Sequence, residues 1–455
     1  MYEFMNRRDY LRMLGYSGLA VGLGTANPRH LFGQDVGESS GFQSSIIETH
    51  KVQNNQNAAV LVNGKVIQPR RELPVLDTTD VLVVGGGSAG VVAAIAAKRA
   101  GVNVTLVERY GHFGGLWTGG LVLLVIGHIV KGGKQVCQGI GEEIMRRLDK
   151  LNGAIINRRA GENPTVDAEA VKYVMVEMIE EARIKVFLHC WGVDAIIDGN
   201  TVKGVVFESK SGRQAILAKV VIDATGDGDV FAAAGASFEH RSHNVGLVSR
   251  IGNLDRINKE NSSGSTKPKR LGSPTPVNGT NWVNLRGPEV DGLDLVTLTR
   301  MEMNHRKFIW KNIQNNRKIP GYENLYLVET APQLGVRITR VLDGLKSVTL
   351  ADLKAGTKFP DVVGVGGSER GEHGEWQIPY GALVPAKTDN ILAAGRCICM
   401  DIRMADLVRL IPNCFVTGHA TGVAGAVAVV DSCRPRDADI KKIQKILKQQ
   451  EAYLG

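Results

Sequence analysis

Gly85-Gly86-Gly87-Ser88-Ala89-Gly90 puts glycines where a chain wrapped around a phosphate needs them. Gly85 would permit a tight turn, Gly87 would let backbone approach a pyrophosphate, and Gly90 would let a following helix pack on the preceding strand. A helix that starts there offers amide N–H groups and the positive end of its dipole to an anion. Glu108, about twenty residues further on, sits where a carboxylate accepts hydrogen bonds from ribose hydroxyls and repels a 2′-phosphate. Other residues suit substrate chemistry. Arg337 and Arg340, three apart as on one helical turn, could bind a carboxylate or an alkoxide; ion pairs with Glu323, Glu329 or Asp343 are the alternative. Arg409, beside Ile411-Pro412, is a similar candidate for placing substrate oxygens. His373 and His419 are the candidates for moving a proton, because imidazole titrates near neutral pH, although a lone histidine is more often structural.

The elements that must position these groups are legible around them. Thr79 to Val84 is a β-branched run, Val91 to Ala100 is an Ala-rich helical stretch, and Asn103 to Val107 is a second strand that ends at Glu108. This strand, turn, helix and strand make a dinucleotide fold. The loop Arg109 to Gly120, rich in glycine, is more than an NAD fold requires. A third glycine turn closes the strand before Ala224-Thr225-Gly226-Asp227-Gly228-Asp229, and a fourth closes Asn390 to Arg396, followed by a glycine-rich helix from Gly418 to Ala426. FAD is longer than NAD and needs such added elements along its ribityl chain. Between the second and third turns, 185–189, 193–197, 202–208 and 213–217 read as short strands of a β-meander. Gly364 to Gly367 reads as a loop, 253–280 as an exposed loop or lid, and 437–449 as an amphipathic closing helix. The six cysteines show no metal-ligand or CxxC spacing and read as buried apolar side chains, although export would allow two of them to oxidise.

With these motifs in place, the sequence resembles the FAD-dependent oxidoreductase family of two-domain flavoproteins, more distantly related to the flavoprotein subunit of fumarate reductase and succinate dehydrogenase. The resemblance covers about Glu72 to Leu454 and rests on the Gly85 turn, Gly114 to Gly120, Asp167 to Tyr173, the Ala224 turn, Pro320 to Glu323, Gly335 to Arg340, Ile378 to Tyr380, Ala394 to Cys397 and the last glycine-rich helix. It implies that FAD is lined by Gly85, Gly87, Ser88, Ala89, Gly90, Glu108, Arg109, Gly115, Leu116, Thr118 and Val193. The same resemblance adds Ala224, Gly226, Asp227, Gly395, Arg396, Gly422 and Val423. A helix starting near Gly422 would then aim its dipole at the flavin. Where the family carries Gln, this chain has His419; His112 invites comparison with histidines that bind flavin covalently.

The expected fold class is α/β: a Rossmann-like FAD-binding domain of the glutathione-reductase type, at 74–237 and 387–455, with an inserted α+β substrate domain at 238–386. The 455 residues, 43% hydrophobic and 22% charged, suffice for both. Ahead of them, Asn6-Arg7-Arg8-Asp9-Tyr10-Leu11-Arg12 and the uncharged run to Gly24 resemble a twin-arginine signal cut after Ala26, and 27–73 reads as a polar tether with a hairpin at Asn63-Gly64. The expectation is a periplasmic enzyme, loaded with FAD before the twin-arginine machinery exports it, that exchanges a hydride with a small polar molecule and uses a separate electron donor or acceptor. No run was expected to reach a membrane span, and the Lys and Arg are too scattered among 46 acidic residues for a nucleic-acid partner. The competing readings are a tRNA-modifying flavoprotein and a flavin electron carrier.

Overall fold

The computed structural model describes residues 58–130, 133–156, 163–258, 268–368 and 374–455; the expected signal, most of the tether and His373 lie outside them. Val60–Val62 and Lys65–Ile67 pair antiparallel across Asn63 and Gly64, whose φ angles of 49° and 73° are the both-positive pattern of an Asn-Gly hairpin turn.

The main sheet runs, in spatial order, Lys185–Phe187, Val104–Val107, Val75–Val84, Gly212–Asp223, Thr201–Ser209 and Trp191–Asp198. The first four are parallel, and Ile391–Ala393 pairs parallel with the far end of Gly212–Asp223. Expected as the end of one element and the start of another, Gly212–Asp223 is a single strand. Its first half pairs antiparallel with Thr201–Ser209, and its second half carries the parallel sheet; Val75–Val84 pairs along both, with a register shift between Ala215 and Ile216. Lys185–Phe187 joins the parallel edge rather than the meander. Val84, Val107, Asp223 and Ala393 thereby end side by side, and the carboxyl ends of parallel strands are where α/β folds place ligands.

Helix Ser88–Arg99 lies across this sheet, fully buried up to Ala97, and crosses helix Ile411–Val430. The crossing is close enough to require glycine: a Cβ on Gly418 would sit 2.1 Å from Ala89 O, and one on Gly422 would sit 2.2 Å from Ala93 O. Helix Ile411–Val430 carries no Asp, Glu, Lys or Arg and is long and apolar enough to cross a membrane, contrary to expectation. Because 78% of its most apolar window is buried, it serves here as the core helix.

A second, antiparallel sheet runs Ser273–Pro274, Asn281–Val290, His243–Gly252 and Tyr326–Thr330. Helix Leu295–Asn316 backs it with Met301, His305, Ile309 and Ile313, one stripe at four-residue spacing. Asp294 caps that helix by accepting from Val296 N at 3.0 Å. Two expected loops are strands: Val362–Gly367 pairs with Glu375–Pro379, and Ser273–Pro274, inside the expected lid, pairs with Asn281–Val290. Helix Ile440–Gln449 closes the fold as expected, burying Ile443 and Leu447.

Candidate active site

The Gly85 turn owes its shape to contacts that exclude side chains. Gly85 has φ 102°, and a Cβ on Gly90 would lie 1.8 Å from Gly85 O. Helix Ser88–Arg99 begins without a side-chain cap or an acidic residue in its first turn, so its leading amides remain for a ligand anion. Beside them, Glu108 is buried and accepts from Gly86 N at 2.6 Å and Tyr110 N at 2.8 Å. Burial pushes its carboxyl upward, and these amides with Arg109 oppose that. One lone pair on each oxygen is left for hydroxyl donors. Arg109 lies over the rings of Tyr110 and Trp191.

Asp223 builds the third turn, a role its sequence position did not announce. Fully buried, it accepts from Thr225 N, Thr225 Oγ1, Val230 N and Phe231 N at 2.7 to 3.1 Å. Burial raises its pKa to about 6.

These turns surround a cleft of about 840 Å³. Of the residues expected to line FAD, Gly85, Gly87, Ser88, Ala89, Glu108, Arg109, Gly115, Leu116, Ala224, Gly226, Gly395 and Arg396 are on its wall. Tyr110, Trp191 and Ile411 also line it and were missed, because nothing local marks an aromatic or aliphatic residue as a wall. Three buried polar atoms on the wall, Trp117 Nε1, Gln333 Oε1 and Arg396 Nε, have no hydrogen-bond partner among the described residues. Buried polar groups are normally satisfied, so a polar ligand fits here. A long dinucleotide suits the cleft: amides for a pyrophosphate at Ser88, a carboxylate for a ribose at Glu108, and further turns at Ala224 and Gly395.

The remaining expected residues support the wall from behind. Gly90 is the helix–turn contact, and Thr118 donates to Phe113 O. Val193 follows the wall residue Gly192, and Asp227 pairs with Arg396 at 2.7 Å. Gly422 and Val423 lie buried in the middle of helix Ile411–Val430, which starts at Ile411 rather than near Gly422, so its first turn, with Ile411 and Cys414, meets the cleft. His112 hydrogen-bonds around Phe113 O and Thr118 and lines no cleft described here.

A second cleft, of about 1380 Å³, shares Leu116, Arg396, Arg409 and Ile411 with the first. Of the candidate substrate arginines, Arg337 and Arg409 line it and Arg340 does not. The segment carrying Arg337 and Arg340 is not a helical turn: Arg340 opens strand Arg340–Leu342, donating to Asp229 Oδ1 at 2.8 Å and to Asp227 O at 3.0 Å. It is a structural ion pair with a partner other than those anticipated. Arg286 and His243 face the second cleft and were missed, since only the pairing of their strands brings them together. His243 Nε2 lies 3.5 Å from Asp406 Oδ1, and burial lowers its pKa despite that carboxylate.

His419 is not a proton donor to either cleft. It lies buried between helices, Nε2 2.9 Å from Gln450 Oε1, and lines neither wall. Because Gln450 Nε2 donates to Ala96 O, His419 Nε2 carries the proton toward Gln450 Oε1. Burial pushes its pKa down to about 4. An unfolded histidine titrates near 6.5, so as pH falls from there toward 4 only the unfolded chain gains the proton and stability is lost. The loss across that window is about 3 kcal/mol. His419→Gln should therefore flatten the decline of Tm between pH 7 and pH 4.5 relative to wild type, as measured by thermal melts across that range.

Digeranylgeranylglycerophospholipid reductase 1 of Methanopyrus kandleri is 29% identical over 166 residues, 32% of this chain and 39% of that protein, so the chain spans well under half of that relative's length. A geranylgeranyl bacteriochlorophyll reductase-like protein of Thermoplasma acidophilum superposes with a TM-score of 0.44 at 16% identity, over 82% of this chain and 83% of its own. The myxobacterial chondrochloren halogenase gives 0.46 at 13%, over 82% and 79%. A model of the family described as FAD dependent oxidoreductase matches residues 80–447, most of the chain and all of both clefts, and the chain belongs to that family, an enzyme with FAD as its cofactor.

Proposed function

We propose that this enzyme moves a hydride between FAD and an oxygen-bearing organic molecule held in the second cleft. The observation that carries this reading is the shared wall: Leu116, Arg396, Arg409 and Ile411 belong both to the dinucleotide cleft and to the cleft beside it. Bound FAD supplies a two-electron acceptor or donor of hydride. The chain's own part is to orient the substrate and handle the accompanying proton. Arg337 and Arg409 supply guanidinium donors for substrate oxygens. His243, whose pKa burial lowers, can take a proton at Nε2, where the Asp406 carboxylate stabilises the resulting charge. Leu116, Leu410 and Ile411 exclude water from the junction.

The twin arginines Arg7 and Arg8, with the uncharged run behind them, support export of the folded enzyme to the periplasm, where a separate redox partner would return the electrons. Anaerobic mixing of the flavin-loaded protein with a panel of alcohols, hydroxy acids and enoates tests the reaction. At least one compound should bleach or restore the flavin absorbance. A panel without effect on a flavin that dithionite still reduces would favour an electron carrier instead.

A further inference from the structure

We infer that the second cleft binds an amphipathic organic anion, with a carboxylate or phosphate head on Arg286 and Arg337 and an apolar body along Val122, Leu124, Ile126 and Trp282. This rests on the reading of that cleft as the substrate site and names the class of molecule it takes.

Asn244 holds the two guanidinium groups side by side. Its backbone carbonyl accepts from Arg337 Nη1 at 2.6 Å, and its side-chain oxygen accepts from Arg286 Nε at 3.1 Å and also from Arg286 Nη2. Both contacts are to a neutral residue, so neither charge is cancelled by them. Among the described residues on this wall, Asp406 is the sole acid, and it is engaged by Arg409 at 2.6 Å, with His243 beyond. Arg396 is matched by Asp227. Arg286 and Arg337 are thus the cations of the cleft that form no ion pair with a carboxylate among the described residues; Asp406 acts on both only at longer range. Their crowding is felt: burial first, then Arg409 and Arg286, lowers the Arg337 pKa to about 10. Paired guanidinium forks in such a place select planar or tetrahedral oxyanions.

The strand register explains how the head and body sites are joined. Trp282, Asn284 and Arg286 alternate along one face of Asn281–Val290, and Gly246 and Val248 stand opposite Arg286 and Asn284 on His243–Gly252. One end of that face carries Arg286; toward the other lie Val248 and Trp282, the latter opposite Arg250, whose charge Glu329 and Asp167 engage. Across the cleft, Val122, Leu124 and Ile126 also alternate along the chain and add an uncharged wall. A short dicarboxylate would leave this wall without a partner. The cleft continues from the guanidinium pair to Val122, Leu124, Ile126 and Trp282, so a body can lie behind the head.

Calorimetric titration of the flavin-loaded enzyme with octanoate, octyl phosphate, octanol and butyrate tests the assignment. Octanoate or octyl phosphate should bind roughly tenfold or more tightly than octanol, reading the head, and more tightly than butyrate, reading the body. Their order identifies the head. Arg286→Gln and Arg337→Gln should each weaken the octyl anion roughly tenfold and leave octanol unchanged. Arg286 is exposed, so its variant tests the site even if Arg337→Gln folds poorly. Equal binding of octanol and both octyl anions, or anion affinity that survives both substitutions, would overturn the proposal. Selective anion binding without flavin reduction by any amphipathic acid would leave the anion site standing and count against hydride transfer. Flavin bleaching by a substrate unaffected by either arginine would do the reverse.

Discussion

Replacing Gly90 by Ala should give protein that purifies nearly free of flavin and melts at a lower temperature even without it. The added Cβ would stand 1.8 Å from Gly85 O and 3.1 Å from Ala224 Cβ, so the helix must leave the turn or the turn must leave Asp223's end of the sheet. Overpacking of this kind costs about 1–3 kcal/mol where some relaxation is available. The leading amides of Ser88 and Ala89 move with the helix, so retention of FAD should fall by a factor of roughly 10 to 100. Gly87→Ala separates the two effects. At Gly87, φ is −71°, and an added Cβ would meet nothing nearer than Gly115 Cα at 3.9 Å. That variant should keep the apoprotein's Tm while weakening FAD, since its new methyl would fill the space a pyrophosphate approaches. Absorbance at the flavin band after purification, with melts of the apoproteins, gives both readings. Equal flavin content in wild type and Gly90→Ala would overturn the assignment of this turn.

That experiment probes the part of the molecule most legible in the sequence. The Gly85 turn, the helix after it and Glu108 lie within one short stretch, where spacing alone dictates the geometry. Gly418 and Gly422 were legible as glycines that admit a close neighbour, but a glycine does not name its neighbour. They read as the start of a helix near the flavin, whereas they lie in the middle of a longer one against the backbone of Ala89 and Ala93. The same limit applies to Gly212–Asp223, where short apolar runs look like separate strands until Val75–Val84 is seen pairing along both halves. The second cleft was least legible, because Ile126, His243, Arg286, Arg337 and Asp406 come from distant segments. Arg337 could be noticed as a cation. Its distinction from Arg340 depends on whether an acid lies within reach, which only the fold decides: Asp229 meets one and no described carboxylate meets the other.

Asp227→Ala, just behind the cleft wall, should destabilise the enzyme more than the loss of any single charge on the walls themselves. Asp227 Oδ1 accepts from Arg396 Nη2 at 2.7 Å and from Thr339 Oγ1 at 2.9 Å, while Arg396 lies across Gly226 and lines both clefts. Removing one member of a buried pair strands the other, at a cost of about 3–5 kcal/mol. The low end, about 3 kcal/mol, applies because each side chain retains some exposure, 14% for Arg396 and 15% for Asp227. Arg396→Met should cost less, since Thr339 still donates to Asp227. In Asp227→Leu with Arg396→Met neither charge remains to be desolvated, and stability should return to within about 1 kcal/mol of wild type, a large coupling in a double-mutant cycle. Flavin retention should not return with it, because Arg396, rather than Asp227, forms the wall. Urea melts of the four proteins together with their flavin content measure both quantities. Independent, additive losses from the two single substitutions would show that the pair does not act as a unit.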